Sequence, residues 1–151
     1  MIEKGILSAT GLVLCPYRQT ILVADRSRED ALHTGQVRRL VSGRKEPNDN
    51  SLIDAFLREL GEEVPGLTLE KKRMVYLGST FFMRNGVTVT QKCFGVVATE
   101  FPVAFNGNGE MVNFRFEEPG HLLSQLNRKN DYEAAMCEWI VRAQKTYFLR
   151  Q

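Results

Sequence analysis

The Asn85-Gly86 pair in the middle of the chain constrains the fold more than any other feature. Asn-Gly accepts the backbone of a tight two-residue turn, and strand-like arms flank it, Met74 to Met83 before and Val87 to Thr99 after. Long paired strands are the expected result. Ile6 to Cys15 is a further strand, ended by Pro16, and Thr20 to Ala24, Gln36 to Val41 and Val112 to Phe116 read as shorter ones. Arg26 to Asp30 is too polar to bury and reads as a solvated loop or helix end, while Ser42 to Asn48 and Asn106 to Gly109, polar and broken by glycine or proline, read as loops. Asp131 to Phe148 has helical periodicity, and Glu118-Pro119-Gly120 opens a short helical turn at His121 to Leu126. With the helix described below, this order predicts an α/β protein in which one mixed sheet is covered by helices on both faces.

A chain of 151 residues, 43% hydrophobic and 25% charged, is expected to form a single domain over 1–151. Twenty basic residues against 18 acidic ones leave a net charge of +2, too small a field for sequence-independent nucleic-acid binding. The apolar runs Gly11 to Cys15 and Phe94 to Ala98 are far short of the roughly 20 residues that span a bilayer. Cys15, Cys93 and Cys137 are scattered and odd in number, which argues against a disulfide framework or a structural zinc site. With no basic-then-apolar leader, an unexported protein of the reducing cytoplasm is expected, with a small molecule as partner rather than nucleic acid or membrane.

The remaining helix carries the chemistry. Ser51 with Asp54 three residues on resembles a capping box, and Val64-Pro65-Gly66 stops the helix. At 100° per residue, Ile53, Phe56, Leu57 and Leu60 share one arc, while Glu59, Glu62 and Glu63 share the adjoining one. Glu59 is i,i+3 to Glu62 and i,i+4 to Glu63, so three carboxylates meet on one patch, where they repel unless something positive lies between them. Hard oxygen ligands gathered in this way suit Mg²⁺ or Mn²⁺. The competing reading is a solvated acidic face softened by Arg58, Lys71 and Lys72.

Gly43, Glu46-Pro47, Asp49, Arg58-Glu59-Leu60-Gly61-Glu62-Glu63 and Gly66-Leu67 together resemble the signature of the Nudix hydrolases, G-x5-E-x7-R-E-U-x-E-E-x-G-U with U apolar. The flanking strands, hairpin and late helices also run in that family's order, so the resemblance implies a Nudix-like α/β/α sandwich. It departs from the pattern in three places. Asp49 stands for the first glutamate, with Asn50 as its competitor; one extra residue precedes Arg58; and Val64-Pro65 puts two residues before Gly66. An extra residue inside the helix would rotate the carboxylates by 100°, so it is expected in the loop or at the helix start around Asn50 and Ser51.

Residue by residue, the resemblance implies that Glu59, Glu62 and Glu63 are ligands of Mg²⁺ or Mn²⁺. Gly43 belongs to the same metal site, where it lets the backbone approach the helix. One of the carboxylates or a later acidic residue is implied as base, and Arg58 as the organiser that pairs with them. Among later acidic residues Glu110 is favoured, with Glu100, Glu117 and Glu118 as alternatives. Arg38, Arg39, Arg44 and Lys45 are candidates for substrate phosphates, or for surface charge that balances the acidic helix. Phe82, with Phe81 beside it, is a candidate for stacking on a base, or a core residue. Trp139 is expected in the core, and His33 and His121 are assigned no role.

The implied activity is metal-dependent hydrolysis of the pyrophosphate bond of a nucleoside diphosphate linked to another group. Markers of the ADP-ribose, diadenosine-polyphosphate and NADH groups of the family are not found, which leaves a nucleoside triphosphate or nucleotide sugar open. A catalytically weak nucleotide-sensing or protein-binding module and a hydrolase of non-nucleotide diphosphates are the alternatives. Nudix relatives are often dimers, which leaves a homodimer open, although no segment identifies an interface.

Overall fold

The computed structural model describes residues 5–26, 38–100 and 111–148, and only the backbone of Arg26, Arg38, Arg39, Arg84, Glu100, Met111 and Val112. Its elements are β1 (Ile6–Cys15), β2 (Thr20–Arg26), β3 (Arg38–Arg39), β4 (Ser42–Arg44), α1 (Leu52–Glu63), β5 (Thr68–Arg84), β6 (Val87–Glu100), β7 (Met111–Glu117), α2 (Pro119–Gln125) and α3 (Asp131–Ala143). A π-helical turn, Gln144–Phe148, continues α3. The strands form one mixed sheet. β1 runs parallel to β6, from Ile6 opposite Val89 to Leu14 opposite Val97, and antiparallel to β2 and β4. β5 and β6 are the two arms of the hairpin, with Asn85 and Gly86 both at positive φ in its turn.

Side-chain alternation along β1 and β2 divides the core in two. Leu12, Leu14, Ile21 and Val23 pack under α2 and α3 with Leu122, Met136, Trp139 and Ile140. Ala9, Val13, Leu22 and Ala24 pack on the other face with Phe56 and Leu60 of α1. Burial on both faces is why β1 reads as a nearly continuous apolar run, and it makes the molecule a three-layer α/β/α sandwich. Trp139 is in the core as expected.

Four elements differ from the expectation. Leu40 and Val41 leave the strand ladder, and Ser42–Arg44, expected as loop, is the strand β4 against β1, with Ala9 opposite Gly43. A polar Ser-Gly-Arg triplet has no alternation to read; its pairing is dictated by the free edge of β1. β5 begins at Thr68, before the expected Met74; register shifts between Thr68 and Leu69, between Glu70 and Val75 and between Tyr76 and Gly78 break its period of two, which hides its first part in the sequence. The last helix is α-helical only to Ala143, after which the π turn lets Tyr147 and Phe148 reach the core. His33, Glu110 and the Asn106 to Gly109 loop lie outside the described residues.

Gly11 sets how closely α1 sits on the sheet. A Cβ there would lie 2.3 Å from Cζ of Phe56, a fully buried ring. Gly11→Ala is expected to lower stability by about 1–3 kcal/mol, the usual cost of overpacking. It should appear as a lower urea midpoint with an unchanged slope; an unmoved midpoint would mean that α1 rides on the sheet loosely.

Candidate active site

The carboxylate helix begins where its cap places it. Ser51 has extended backbone angles, and its Oγ accepts the Asp54 N–H at 3.2 Å. The helix ends as the Val64 N–H bonds to the Leu60 carbonyl and Gly66 turns with φ of 94°. Phe56 and Leu60 are buried against the sheet, which leaves Arg58, Glu59 and Glu62 along the flank beside β4. Glu63 is buried, whereas Glu62 is 61% exposed.

The positive group that the helix needs is Arg58. Its Nε donates to Oδ1 of Asp49 at 3.2 Å and one terminal nitrogen to Oδ2 at 3.1 Å, a two-pronged contact. The other terminal nitrogen donates to Oε1 of Glu59 at 3.0 Å and lies 3.7 Å from Glu62 and 3.8 Å from Glu46. Arg58 also donates to the Arg44 carbonyl at 3.2 Å, which ties α1 to the end of β4. Asp49 is in turn fixed by the Glu46 N–H at 2.8 Å. Asp49, and not the exposed Asn50, therefore meets Arg58. Both precede the cap at Ser51.

Arg58 beside Asp49 holds its carboxyl below the usual carboxylate range, with the Glu46 N–H adding to the effect. The same pairing raises the Arg58 guanidinium further above its ordinary value. A carboxylate depressed in the folded state contributes stability that is present above the ordinary aspartate value of about 3.9 and lost as pH falls through the folded value. Wild-type stability is therefore expected to drop below about pH 4 more steeply than that of Asp49→Asn. Thermal melts of the two proteins between pH 6 and pH 2 test this, and parallel curves would refute it.

Gly43 lies directly on Glu59: a Cβ added to it would be 2.0 Å from Glu59 Cγ. β4 thus presses its backbone on a carboxylate side chain. Among the described residues no three Asp, Glu, His or Cys side chains converge as a metal-binding group. The guanidinium of Arg58 lies within 3.1 Å of Asp49, 3.0 Å of Glu59 and 3.7 Å of Glu62. The donor set nevertheless suits a hard divalent ion. It consists of carboxylate oxygens on one helix flank, and no described residue engages Oε2 of Glu59.

The other candidates separate clearly. Arg44 and Lys45 are exposed at the end of β4; the Arg44 carbonyl meets Arg58, while its side chain, opposite Ser8 in the ladder, alternates to the other face of the sheet from Gly43. Arg38 and Arg39 pair as backbone with β2, and their side chains are outside the described set. Phe82 packs on the α3-side core, edge-on to Tyr132 at 6.4 Å, while Phe81 is 72% exposed. Oε1 of Glu117 accepts from Nε of Arg115 at 2.7 Å, and Glu117 sits opposite Ile21, level with Leu14 and five residues along β1 from the Gly43 position. Glu118 is exposed at the start of α2, and the Glu100 side chain and Glu110 are not described. No helix is long and apolar enough to cross a membrane among the described residues.

No protein-family profile matches the chain, and no curated protein matches its sequence. Solved structures do match. The chain is similar to the MutT protein of Methanosarcina mazei, with a TM-score of 0.67 and 19% identity over 96% of this chain and 97% of that one. It is similar to an Ap4A hydrolase of C. elegans in a binary complex, with a TM-score of 0.66 and 15% identity over 93% and 96%. A Nudix hydrolase from Nitrosomonas europaea gives 0.62 and 18% over 97% and 94%. At such identities the chains share architecture rather than sequence, and the shared architecture spans nearly the whole of each: this chain has the fold of the Nudix hydrolases.

Proposed function

We propose that this protein is a hydrolase of phosphoanhydride bonds in small diphosphates, dependent on Mg²⁺ or Mn²⁺, with nucleoside diphosphate derivatives as the first substrates to test. One observation carries the reading: within a Nudix fold, Glu59, Glu62 and Glu63 share one helix, with Glu59 under the Gly43 backbone and clamped by Arg58. A divalent ion held by these carboxylates would neutralise phosphate charge and activate water. Arg58 fixes the rotamer of Glu59, the α1 cap and core fix its Cα, and β4 fixes the side from which it can be approached. Lys45 offers an exposed cation for the substrate's phosphates. A carboxylate of α1 or Glu110 serves as base toward the water. Three buried free cysteines suit a reducing, cytoplasmic setting.

The second reading is a Nudix-fold module that binds a nucleotide or a protein without turnover, and the position of Arg58 among the carboxylates favours it. One experiment separates the two. Purified protein is incubated with nucleoside triphosphates, nucleotide sugars, dinucleotides and non-nucleotide diphosphates, with Mg²⁺ or Mn²⁺, and phosphate is measured with and without added phosphatase. Metal-dependent release from a member of the panel, lost in Glu62→Gln, supports the hydrolase. Silence across the panel together with tight nucleotide binding would overturn it in favour of the module.

A further inference from the structure

Three polar side chains are buried where the sheet should be apolar. Ser8 and Thr10 of β1 share the face of Leu12 and Leu14, and Gln91 of β6 lies opposite Ser8 in the parallel ladder. Valine or leucine would fill these positions without the cost of burying a polar group. What they do instead is hold one carbonyl within β4 and one just before it, with Gln91 backing Ser8. The Ser8 hydroxyl donates to the Gly43 carbonyl at 3.2 Å, and the Thr10 hydroxyl donates to the Val41 carbonyl at 3.0 Å. Ser8 has one proton and spends it on Gly43, so its oxygen must accept from Gln91, whose Nε2 lies at 3.3 Å. That orientation leaves the Gln91 carboxamide oxygen buried with no hydrogen-bond partner among the described residues. The amide is held for its donor end at the expense of its acceptor end.

The held strand touches α1 at two points. Gly43 presses on Cγ of Glu59, and the next carbonyl, that of Arg44, accepts from Arg58. A three-residue strand is a weak support by itself, and a shift toward α1 would displace Glu59, while a shift away would stretch the Arg58 contact. We propose that Ser8, backed by Gln91 and joined by Thr10, is a positioning residue for Glu59, acting across the sheet through the Gly43 peptide. The claim that this positioning serves turnover rests on the hydrolase reading; the claim that it sets the Glu59 carboxylate does not.

The test uses Ser8→Ala, Gln91→Met and the near-isosteric Thr10→Val, with Ser8→Thr as the conservative rescue. Ser8→Ala is expected to lower kcat by about tenfold with KM within about twofold, and to weaken Mn²⁺ binding by about tenfold, as losses of outer-shell partners do at metal sites. Mn²⁺ binding is measured by calorimetry without substrate, and the Glu59 carboxyl carbon is followed by NMR titration in the same variants. Ser8→Thr should restore both. If Ser8→Ala does not fold, Thr10→Val carries the same expectation with a side chain of nearly unchanged volume. Lower melting temperatures with an unmoved Mn²⁺ affinity and an unmoved Glu59 resonance would overturn the proposal and leave the three residues purely structural. If no substrate is turned over, the hydrolase reading fails by itself, and the Glu59 resonance still decides whether Ser8 positions that carboxylate.

Discussion

If the proposed hydrolase reading holds, Glu62→Gln is expected to lower kcat by about 10³-fold, because a metal ligand would supply several kcal/mol of transition-state charge stabilisation and each 1.36 kcal/mol is a factor of about ten. The same variant should barely change stability. Glu62 is 61% exposed, and its only described ion pair, with Arg58 at 3.7 Å, is long and open to solvent. Exposed pairs of that kind contribute about 0–1 kcal/mol, and the change to an amide keeps the volume of the side chain. Activity and folding thus separate at this residue in a way they do not at buried Glu63, where loss of charge inside the protein disturbs both. The measurement is kcat at saturating Mg²⁺ beside a urea melt. A kcat within about tenfold of wild type would remove Glu62 from the ligand set and favour the solvated acidic face instead.

Much of this arrangement is legible in the sequence, and the parts that are not share a cause. The hairpin is legible because Asn85-Gly86 fixes its turn locally, and α1 because its cap, apolar arc and stop all lie within 16 residues of chain, Ser51 to Gly66. The need for a cation among the carboxylates follows from their spacing, and Arg58 supplies it. The choice between Asp49 and Asn50 is not decided by spacing, since Asn50 has the usual separation from Arg58; it is decided by which side chain can receive both prongs of a guanidinium. β4 and the residues that hold it are illegible for a stronger reason. Ser8, Thr10 and Gln91 look like polar interruptions of two strands, and only the register that brings Gln91 beside Ser8, 83 positions away, shows them acting together on Gly43. Local chemistry is written locally, whereas the support behind a site is written in the pairing of distant strands.

Gly43→Ala should damage activity more than stability. The added methyl would lie 2.0 Å from Cγ, 2.8 Å from Cδ and 3.0 Å from Oε1 of Glu59, so one of the two elements must give. β4 is fixed by its ladder to β1 and by the buried hydroxyls of Ser8 and Thr10, and the Glu59 Cα is fixed by a helix whose Phe56 and Leu60 are in the core. The flexible part is the Glu59 side chain, which must swing away and surrender its 3.0 Å contact with Arg58. A displacement of about 1 Å at a reacting centre costs about 10²-fold, so kcat should fall by about that factor, with overpacking adding a stability loss of about 1–3 kcal/mol. Gly61→Ala on the same helix is the matched comparison. Nothing lies within 4 Å of a Cβ there, and removing a glycine from a helix interior should stabilise the protein by about 0.5–1 kcal/mol with kcat retained. Equal kcat in the two variants would show that the close approach of β4 to Glu59 is incidental to the chemistry; opposite shifts in stability with a hundredfold gap in turnover would show that the glycine is there to leave the carboxylate its place.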